Sequence, residues 1–309
     1  MGIVLIISVM LVLLILVASR IVFSMTYKPS PDGDADYFVL PDNPQYEPHK
    51  EKSNKLTSEL AEIPYEEVWI TSFDGLKLFG RYYHVADGAP LHIECHGYHG
   101  HAYRDFCGGN RIAREAGHNT LLIDERSHGR SEGHAITFGI NERQDVKAWA
   151  EYAQKRFGKD QKIILAGVSM GAATVIMASE LDLPSNVVGV IADCPFSSPV
   201  EIISKVARDR KIPVSLVYPF MFTASWFFGH FDIGKATAIG AVKKTSLPIL
   251  IIHGEADNFV PCQMSRDMKA ARPDKVTLLT VPGAGHGLSY MVDTQAYENA
   301  IKEFLAKVL

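Results

Sequence analysis

A serine framed by two glycines is the first group in this chain that could carry out chemistry. Residues Gly167–Gly171 read Gly-Val-Ser-Met-Gly and directly follow the apolar run Ile163–Ala166. A sharp turn from a strand into a helix lifts the serine hydroxyl above the edge of a sheet, and the two glycines remove side chains that would clash. The pattern therefore predicts Ser169 as a nucleophile, and the alternative interpretation is an ordinary tight turn.

A serine hydroxyl is a weak nucleophile at its ordinary pKa, so it needs a base, and the base needs an acid that orients it. Asp257 lies just past the apolar run Ile249–Ile252, and Glu255, which is closer to that run, is the reserve candidate for the acid. His286 lies in a glycine-rich stretch after the next apolar run. The order Ser, Asp, His predicts a catalytic triad for acyl transfer.

Residues 91–101 contain several histidines and could form either a metal site or a strand that runs into a turn. A metal site would use His96, His99 and His101, but this spacing on a turn gives no ready tetrahedral geometry. The chain's four cysteines are scattered without a Cys-x-x-Cys pair, which argues against structural zinc and a disulfide framework. We therefore expect a strand and a turn here, and no metal or cofactor.

The elements that must position these groups alternate between short apolar runs and segments of helical period. Two strand-like runs joined by Asp74-Gly75 predict a hairpin, and the later alternation predicts a mostly parallel sheet covered by helices on both faces. The predicted strands are Tyr65–Thr71, Leu76–His84, Leu91–Cys95, Thr120–Ile123, Ile163–Ala166, Val187–Ala192, Ile249–Ile252 and Val276–Val281. The predicted helices are Asp105–Ala116, Glu142–Phe157, Met170–Leu181, Gln263–Ala271 and Thr294–Val308.

Four segments together resemble a serine hydrolase of the α/β-hydrolase superfamily over roughly residues 65–309. They are Gly167–Gly171, His253–Asp257, Gly285–Gly287 and Asp124–Ser131, the last with Ser127 where the superfamily has glycine. The resemblance implies the α/β-hydrolase fold, with a mostly parallel sheet of about eight strands, flanking helices and a helical cap. Within the superfamily, the chain is similar to membrane-tethered bacterial proteins described as esterases or S9/S33-type peptidases.

The same resemblance implies an oxyanion hole. The superfamily has a His-Gly motif in the turn after a core strand. Here that motif is His96-Gly97, directly after the predicted strand Leu91–Cys95. The backbone N–H groups that bind the oxyanion would then be those of Tyr98 and Met170.

The ends of the chain and its composition define the domain organisation. The uncharged run at Gly2–Ala18 predicts a transmembrane anchor at residues 1–23, with a signal peptide as the alternative. A proline-rich linker at 24–60 and a hydrolase domain at 61–309 follow, with an aromatic helical cap at 194–246. Arg20 and Lys28 follow the span and no Lys or Arg precedes it, which favours the cytoplasmic face for the domain. The net charge of −4 without a basic run argues against nucleic-acid binding.

The expected activity is hydrolysis of small carboxylic esters with short or medium acyl chains. The alternatives are a thioesterase acting on proteins or lipids, an aminopeptidase-like hydrolase, and a membrane-tethered binding scaffold without catalysis. The aromatic residues of the cap could line an acyl pocket or could form ordinary core, and the sequence leaves both open.

Overall fold

The structure is a computed structural model that describes residues 2–30, 38, 40 and 43–309. Within these residues eight strands form one sheet in the order β1-β2-β4-β3-β5-β6-β7-β8, in which β2 runs antiparallel to both of its neighbours and the other pairs are parallel. The strands are β1 (Glu66–Thr71), β2 (Lys77–Tyr83), β3 (Leu91–Cys95), β4 (Asn119–Ile123), β5 (Ile163–Val168), β6 (Val187–Asp193), β7 (Ile249–Gly254) and β8 (Val276–Val281). The predicted fold class is confirmed.

Helices cover both faces of the sheet because alternate strand residues point to opposite faces. In β5, Ile163 and Leu165 belong to one apolar cluster, and Ile164 and Ala166 belong to the other. The helices are α1 (Gly2–Thr26), α2 (Lys50–Ala61), α3 (Ala102–Glu115), α4 (Glu142–Phe157), α5 (Met170–Ala178), α6 (Pro199–Asp209), α7 (Val214–Thr223), α8 (Ala238–Lys244), α9 (Gln263–Ala271), α10 (Ser289–Val292) and α11 (Thr294–Val308).

The segment interpreted as a linker, residues 24–60, contains regular structure. A short 3-10 turn, Glu47–His49, leads into α2, which packs against α3. The last proline of this segment is Pro48, so α2 is free of helix breakers, and Leu56 and Leu60 are buried together on one of its faces. Residues 50–60 are therefore helical and packed against α3, which differs from the predicted tether. Residues 31–37, 39, 41 and 42, which include Pro31 and Pro41, lie outside the described residues.

The segment at 194–246 contains α6, α7, a π-helical turn at Ala224–Phe228 and α8. Phe196 and Phe231 are buried in the apolar core, whereas Trp226 and Phe227 are exposed. The last turns of α1 pack against α7 and the π-helical turn. Within residues 194–246, α7 and the π-helical turn thus pack against the N-terminal helix, and α8 packs against α5 and α9.

Candidate functional site

Ser169 occupies the turn between β5 and α5 in a strained conformation, with φ 55° and ψ −111°. Non-glycine residues rarely adopt positive φ, and such strain is typical of a functional turn. The turn is also very tight, because a Cβ on Gly171 would lie 1.9 Å from the Cys95 carbonyl oxygen, and one on Gly167 would lie 2.3 Å from the Gly171 backbone. Glycine is therefore required on both sides of the serine.

The structure brings the three residues of the predicted triad together. The Ser169 hydroxyl oxygen lies 2.9 Å from His286 Nε2, and His286 Nδ1 lies 2.7 Å from an Asp257 carboxylate oxygen. If the Nδ1–H donates to Asp257, Nε2 is left to accept from the serine hydroxyl. Glu255, the reserve acid, instead pairs with Arg266 at 3.0 Å on the surface.

Asp257 is held as a buried carboxylate by several donors. Its Oδ1 accepts the backbone N–H groups of Phe259 and Val260 at 2.9 and 2.8 Å. Burial alone would raise the pKa of this carboxyl, but hydrogen bonds from His253 and His286 outweigh burial and lower the pKa well below its usual value. Asp257 is therefore ionised at neutral pH, which is the state that stabilises a protonated histidine.

The loop after β3 approaches the serine closely. Cys95 on β3 lies opposite Gly167 on β5, and a Cβ on Gly97 would lie 3.3 Å from Ser169 Cβ. Tyr98 follows Gly97 in this loop. Met170 is the first residue of α5, so its N–H belongs to the helix terminus where backbone donors lack intrahelical partners. Both predicted oxyanion donors thus lie next to the serine in the chain or in space.

A cavity of about 390 Å³ opens beside Ser169 and His286. Its other walls come from the N-terminal segment and from α3 and α10, and the lining includes Leu40, Tyr46, His49, Arg104, Asp105, Leu288, Tyr290 and Met291. Among the described residues that line it, none belongs to 194–246. The aromatic residues of 194–246 therefore do not line this cavity: Phe196 and Phe231 are buried in the core, and Trp226, Phe227 and Tyr218 are exposed.

The N-terminal segment is fixed to both loops that carry the acid and the base. The Tyr46 hydroxyl donates to the His286 carbonyl oxygen at 2.8 Å, and Gln45 Nε2 donates to the Ala256 carbonyl oxygen at 2.9 Å. Sequence reasoning missed Tyr46, because nothing in a proline-rich segment indicates which distant loop it contacts.

Asp193, the last residue of β6, is a second carboxyl in the cavity wall. It is buried, its Oδ1 has no hydrogen-bond partner among the described residues, and burial raises its pKa to about 6. Sequence reasoning missed this residue as well. Its signal was a charged residue at the carboxyl end of an apolar strand, the edge at which parallel sheets bind ligands.

The histidines of residues 91–101 have structural partners. His96 Nε2 accepts the Glu125 backbone N–H at 3.0 Å, and His101 caps α3 by accepting the Tyr103 N–H. Within the described part of the chain, the grouping whose ligand atoms lie close enough for a metal ion is Cys194, Asp257 and His286. It contains none of the histidines from the candidate metal motif, and two of its members are already hydrogen-bonded to each other.

Comparisons with known proteins identify the family and the fold. The family model described as "Alpha/beta hydrolase family" matches residues 95–300. An uncharacterised Bacillus subtilis protein, YqkD, is 24% identical over 62% of this chain and 63% of its own length, so the chain spans less than two thirds of that relative. Among solved structures, the Pyrococcus furiosus esterase Pf2001 has a TM-score of 0.66 at 22% identity, covering 81% of this chain and 95% of the esterase. Est1E from Butyrivibrio proteoclasticus, solved with ferulic acid, has a TM-score of 0.58 at 23% identity, covering 78% and 98%.

Proposed function

Because this chain belongs to the alpha/beta hydrolase family, we propose that it is a serine hydrolase that cleaves carboxylic esters with short or medium acyl chains. The observation that carries the proposal is the hydrogen-bonded series from Ser169 through His286 to Asp257 at the wall of a cavity. An activated serine needs a base within hydrogen-bond reach and an acid that orients the base, and these distances meet both requirements.

The proposed reaction proceeds through an acyl-enzyme. Ser169 Oγ attacks the ester carbonyl carbon while His286 Nε2 takes the hydroxyl proton, and Asp257 stabilises the imidazolium. The negative oxygen is bound by the backbone N–H groups of Tyr98 and Met170, and each such donor typically contributes about 3 kcal/mol at the transition state. His286 then protonates the leaving alcohol, and water repeats both steps to release the carboxylic acid.

The cavity supports an acyl or alcohol group of moderate size. Its volume of about 390 Å³ lies near the lower end of typical small-molecule sites. Leu288, Met291 and Tyr290 contribute apolar lining next to the base. The solved esterases with the same fold are consistent with an ester substrate, and the fold by itself does not choose one.

An aminopeptidase-like activity is the second candidate, and one observation favours it. Cleavage next to a peptide N-terminus requires a group that binds the ammonium, and Asp193 offers a carboxyl oxygen with no hydrogen-bond partner among the described residues. A series of p-nitrophenyl esters of increasing chain length, measured beside aminoacyl anilides, separates the two activities. If the aminoacyl anilides were cleaved faster than the esters, the aminopeptidase-like activity would become the first candidate.

Labelling with a fluorophosphonate tests for an activated serine directly. We expect the full chain in detergent to be labelled and the Ser169→Ala variant to be unlabelled with the same folded-state circular dichroism. Ser197→Ala is the matched control, because Ser197 is also buried but lies outside the cavity lining. Labelling that persists in Ser169→Ala would overturn the proposal by showing that another residue is the activated nucleophile. A folded parent that does not react would overturn it in favour of a binding scaffold.

The N-terminal helix supports a membrane location. Among the described residues, α1 is the helix that is long and apolar enough to cross a bilayer, and such helices occur both in anchors and in signal sequences. We propose a retained anchor, because Phe23 and Tyr27 at its end are buried in the folded domain. The positive charges that follow it favour the cytoplasmic face for the domain. Protease added to intact cells should leave the domain uncut, and its digestion from outside would refute this orientation.

A further inference from the structure

The cap contains a second apolar helical segment whose outer face is exposed. Residues 214–228, which form α7 and the π-helical turn, include no charged residue. Trp226 and Leu216 expose 72% and 59% of their surfaces, and Tyr218, Phe227 and Ile212 are also exposed. A cluster of large apolar side chains of this kind is unusual on a water-facing surface and marks a site of interaction.

The segment that carries this exposed face packs against the N-terminal helix. The ring of Phe23 in α1 lies 6.1 Å from that of Phe228, and the Tyr27 ring lies 5.3 Å from that of Phe231. The Tyr27 hydroxyl also donates to the Met221 carbonyl oxygen. The exposed apolar side chains of α1 and of the cap segment therefore belong to two helices that are packed together.

The length of α1 shows how deep the cap must lie if α1 crosses a bilayer. The part of α1 before its docked turns, Gly2–Ala18, is about 25 Å long at 1.5 Å per residue. The hydrocarbon core of a bilayer is about 30 Å thick. A crossing therefore also requires the docked turns from Ser19 onwards, and the cap segment packed against those turns comes to the same depth.

Positive charges border this surface. Arg208, Arg210 and Lys211 are exposed immediately before the cap segment, and Asp209 between them pairs with Lys205. The Arg20 guanidinium lies 5.9 Å from the Phe228 ring centre. Long cationic side chains next to an apolar surface place their stems on hydrocarbon and their charges at lipid phosphates.

We propose that residues 214–228 insert their exposed face into the lipid bilayer beside α1, so that the chain contacts the membrane through two helices instead of one. The occupant of this face is a lipid bilayer, because the face continues an apolar helix of membrane-spanning length and has a cationic border. The inference rests on the retention of α1 and is independent of the reaction at Ser169.

Trp226 reports on this insertion in the full chain. The sequence has three tryptophans, Trp69, Trp149 and Trp226. The difference between the emission of the parent and that of Trp226→Phe isolates Trp226, and Trp69→Phe isolates Trp69 on edge strand β1 as the matched control. The protein is reconstituted in phosphatidylcholine vesicles with either ordinary or brominated acyl chains.

In brominated vesicles we expect the Trp226 emission to be quenched, and in both kinds of vesicle we expect it to lie at shorter wavelength than the Trp69 emission. The Trp69 emission should be quenched by acrylamide from the water and not by bromine. Trp226 emission that resists bromine and is quenched by acrylamide as strongly as that of Trp69 would overturn the proposal.

A second probe keeps the inference testable if Trp226→Phe disturbs the cap. Because all four native cysteines are buried, a polarity-sensitive fluorophore can be attached at Leu216→Cys and, as control, at exposed Lys307→Cys. Insertion predicts a shift to shorter wavelength at position 216 alone, unchanged when the protein is diluted in excess lipid. A shift that disappears on dilution would identify a second copy of the chain as the occupant and refute the bilayer, as would no shift at all.

Discussion

On one side of the cavity the side chains come from loops directly after parallel strands, whereas on the other side they come from the N-terminal segment at residues 43–61. On the first side, Ser169 follows β5 and Asp193 ends β6, and both line the cavity. Asp257, which binds the base, follows β7, and these three strands are neighbours in the sheet. Tyr46 belongs to the second side, and it contacts a loop 240 residues away in the chain. Backbone hydrogen bonds between neighbouring strands position the first side. The second side is held by a few side-chain contacts to residues that are far away in the chain.

This difference predicts different consequences of mutation. Side chains at the sheet edge are fixed by the backbone, so a change there alters chemistry or charge without moving its neighbours. Residues of the N-terminal segment are held by packing and single hydrogen bonds, so a change there should loosen the wall of the cavity.

Replacing Asp257 with Asn should cause the largest loss. The amide cannot stabilise the imidazolium and favours the wrong histidine tautomer, so kcat for ester hydrolysis should fall by about 10⁴-fold. The matched control is Glu255→Gln, which removes a surface carboxylate two residues away and should leave kcat unchanged. If Glu255→Gln were inactive and Asp257→Asn were active, Glu255 would be the acid of the triad instead of Asp257. Unfolding curves should show that both variants remain folded.

Asp193 should make the stability of the parent depend on pH. Burial raises its pKa from 3.8 to about 6 in the folded state, so folding is favoured by the protonated form. Protonated Asp193 stabilises the folded state by up to about 3 kcal/mol relative to the ionised form. This stabilisation is fully present below about pH 4 and is lost as the pH rises through about 6. The free energy of unfolding of Asp193→Asn relative to the parent should therefore rise between these values and then level off.

Urea unfolding in detergent across that pH range measures this difference. The matched control is Asp160→Asn, which removes an exposed carboxyl. A pH-independent difference for Asp193→Asn would show that its carboxyl is not perturbed by burial.

The sheet-edge side of the site could be predicted from the sequence because its signals are local. The helices Glu142–Phe157, Gln263–Ala271 and Thr294–Val308 have the predicted bounds, and the strand-turn-helix context of Ser169 follows from a few adjacent residues. The start of α3 was predicted three residues late, because its cap is His101 and histidine is not among the usual N-cap residues. Local patterns thus determine which residues reach the edge of the sheet.

The other side could not be predicted, because its position depends on contacts that no short pattern encodes. Of the described prolines in this segment, Pro29 and Pro44 lie outside helices and strands and Pro48 lies in the 3-10 turn, and none of them indicates where the segment packs. Leu56 and Leu60 have the spacing of a helix face in a polar helix, and the structure buries both of them. Asp193 was missed for a different reason: only the structure shows that its carboxyl lies at the wall of the cavity.

Leu56→Ala tests whether α2 is part of the folded domain. Leu56 is buried in the apolar cluster to which α3 contributes, and removal of a buried leucine side chain typically costs about 2–5 kcal/mol of stability. Urea unfolding of the full chain in detergent should show this loss. Lys55→Ala on the exposed face of the same helix should change stability by less than about 0.5 kcal/mol. If the two variants were equally stable, α2 would not be part of the folded domain, and residues 50–60 would act as a tether.

Tyr46→Phe should have the smallest effect and is the sharpest test of the contrast, because it removes a single hydroxyl. That hydroxyl donates to the His286 carbonyl at 2.8 Å, and a hydrogen bond of this kind contributes about 1 kcal/mol, which corresponds to roughly fivefold in rate. Since the bond orients the loop that carries the base, kcat should fall while the pH profile keeps its shape. Tyr218→Phe, which removes a hydroxyl from the exposed face of the cap, should leave kcat unchanged. A Tyr46→Phe variant with the full kcat and a raised KM would show instead that the segment only encloses the substrate, and that the base is positioned from the sheet edge alone.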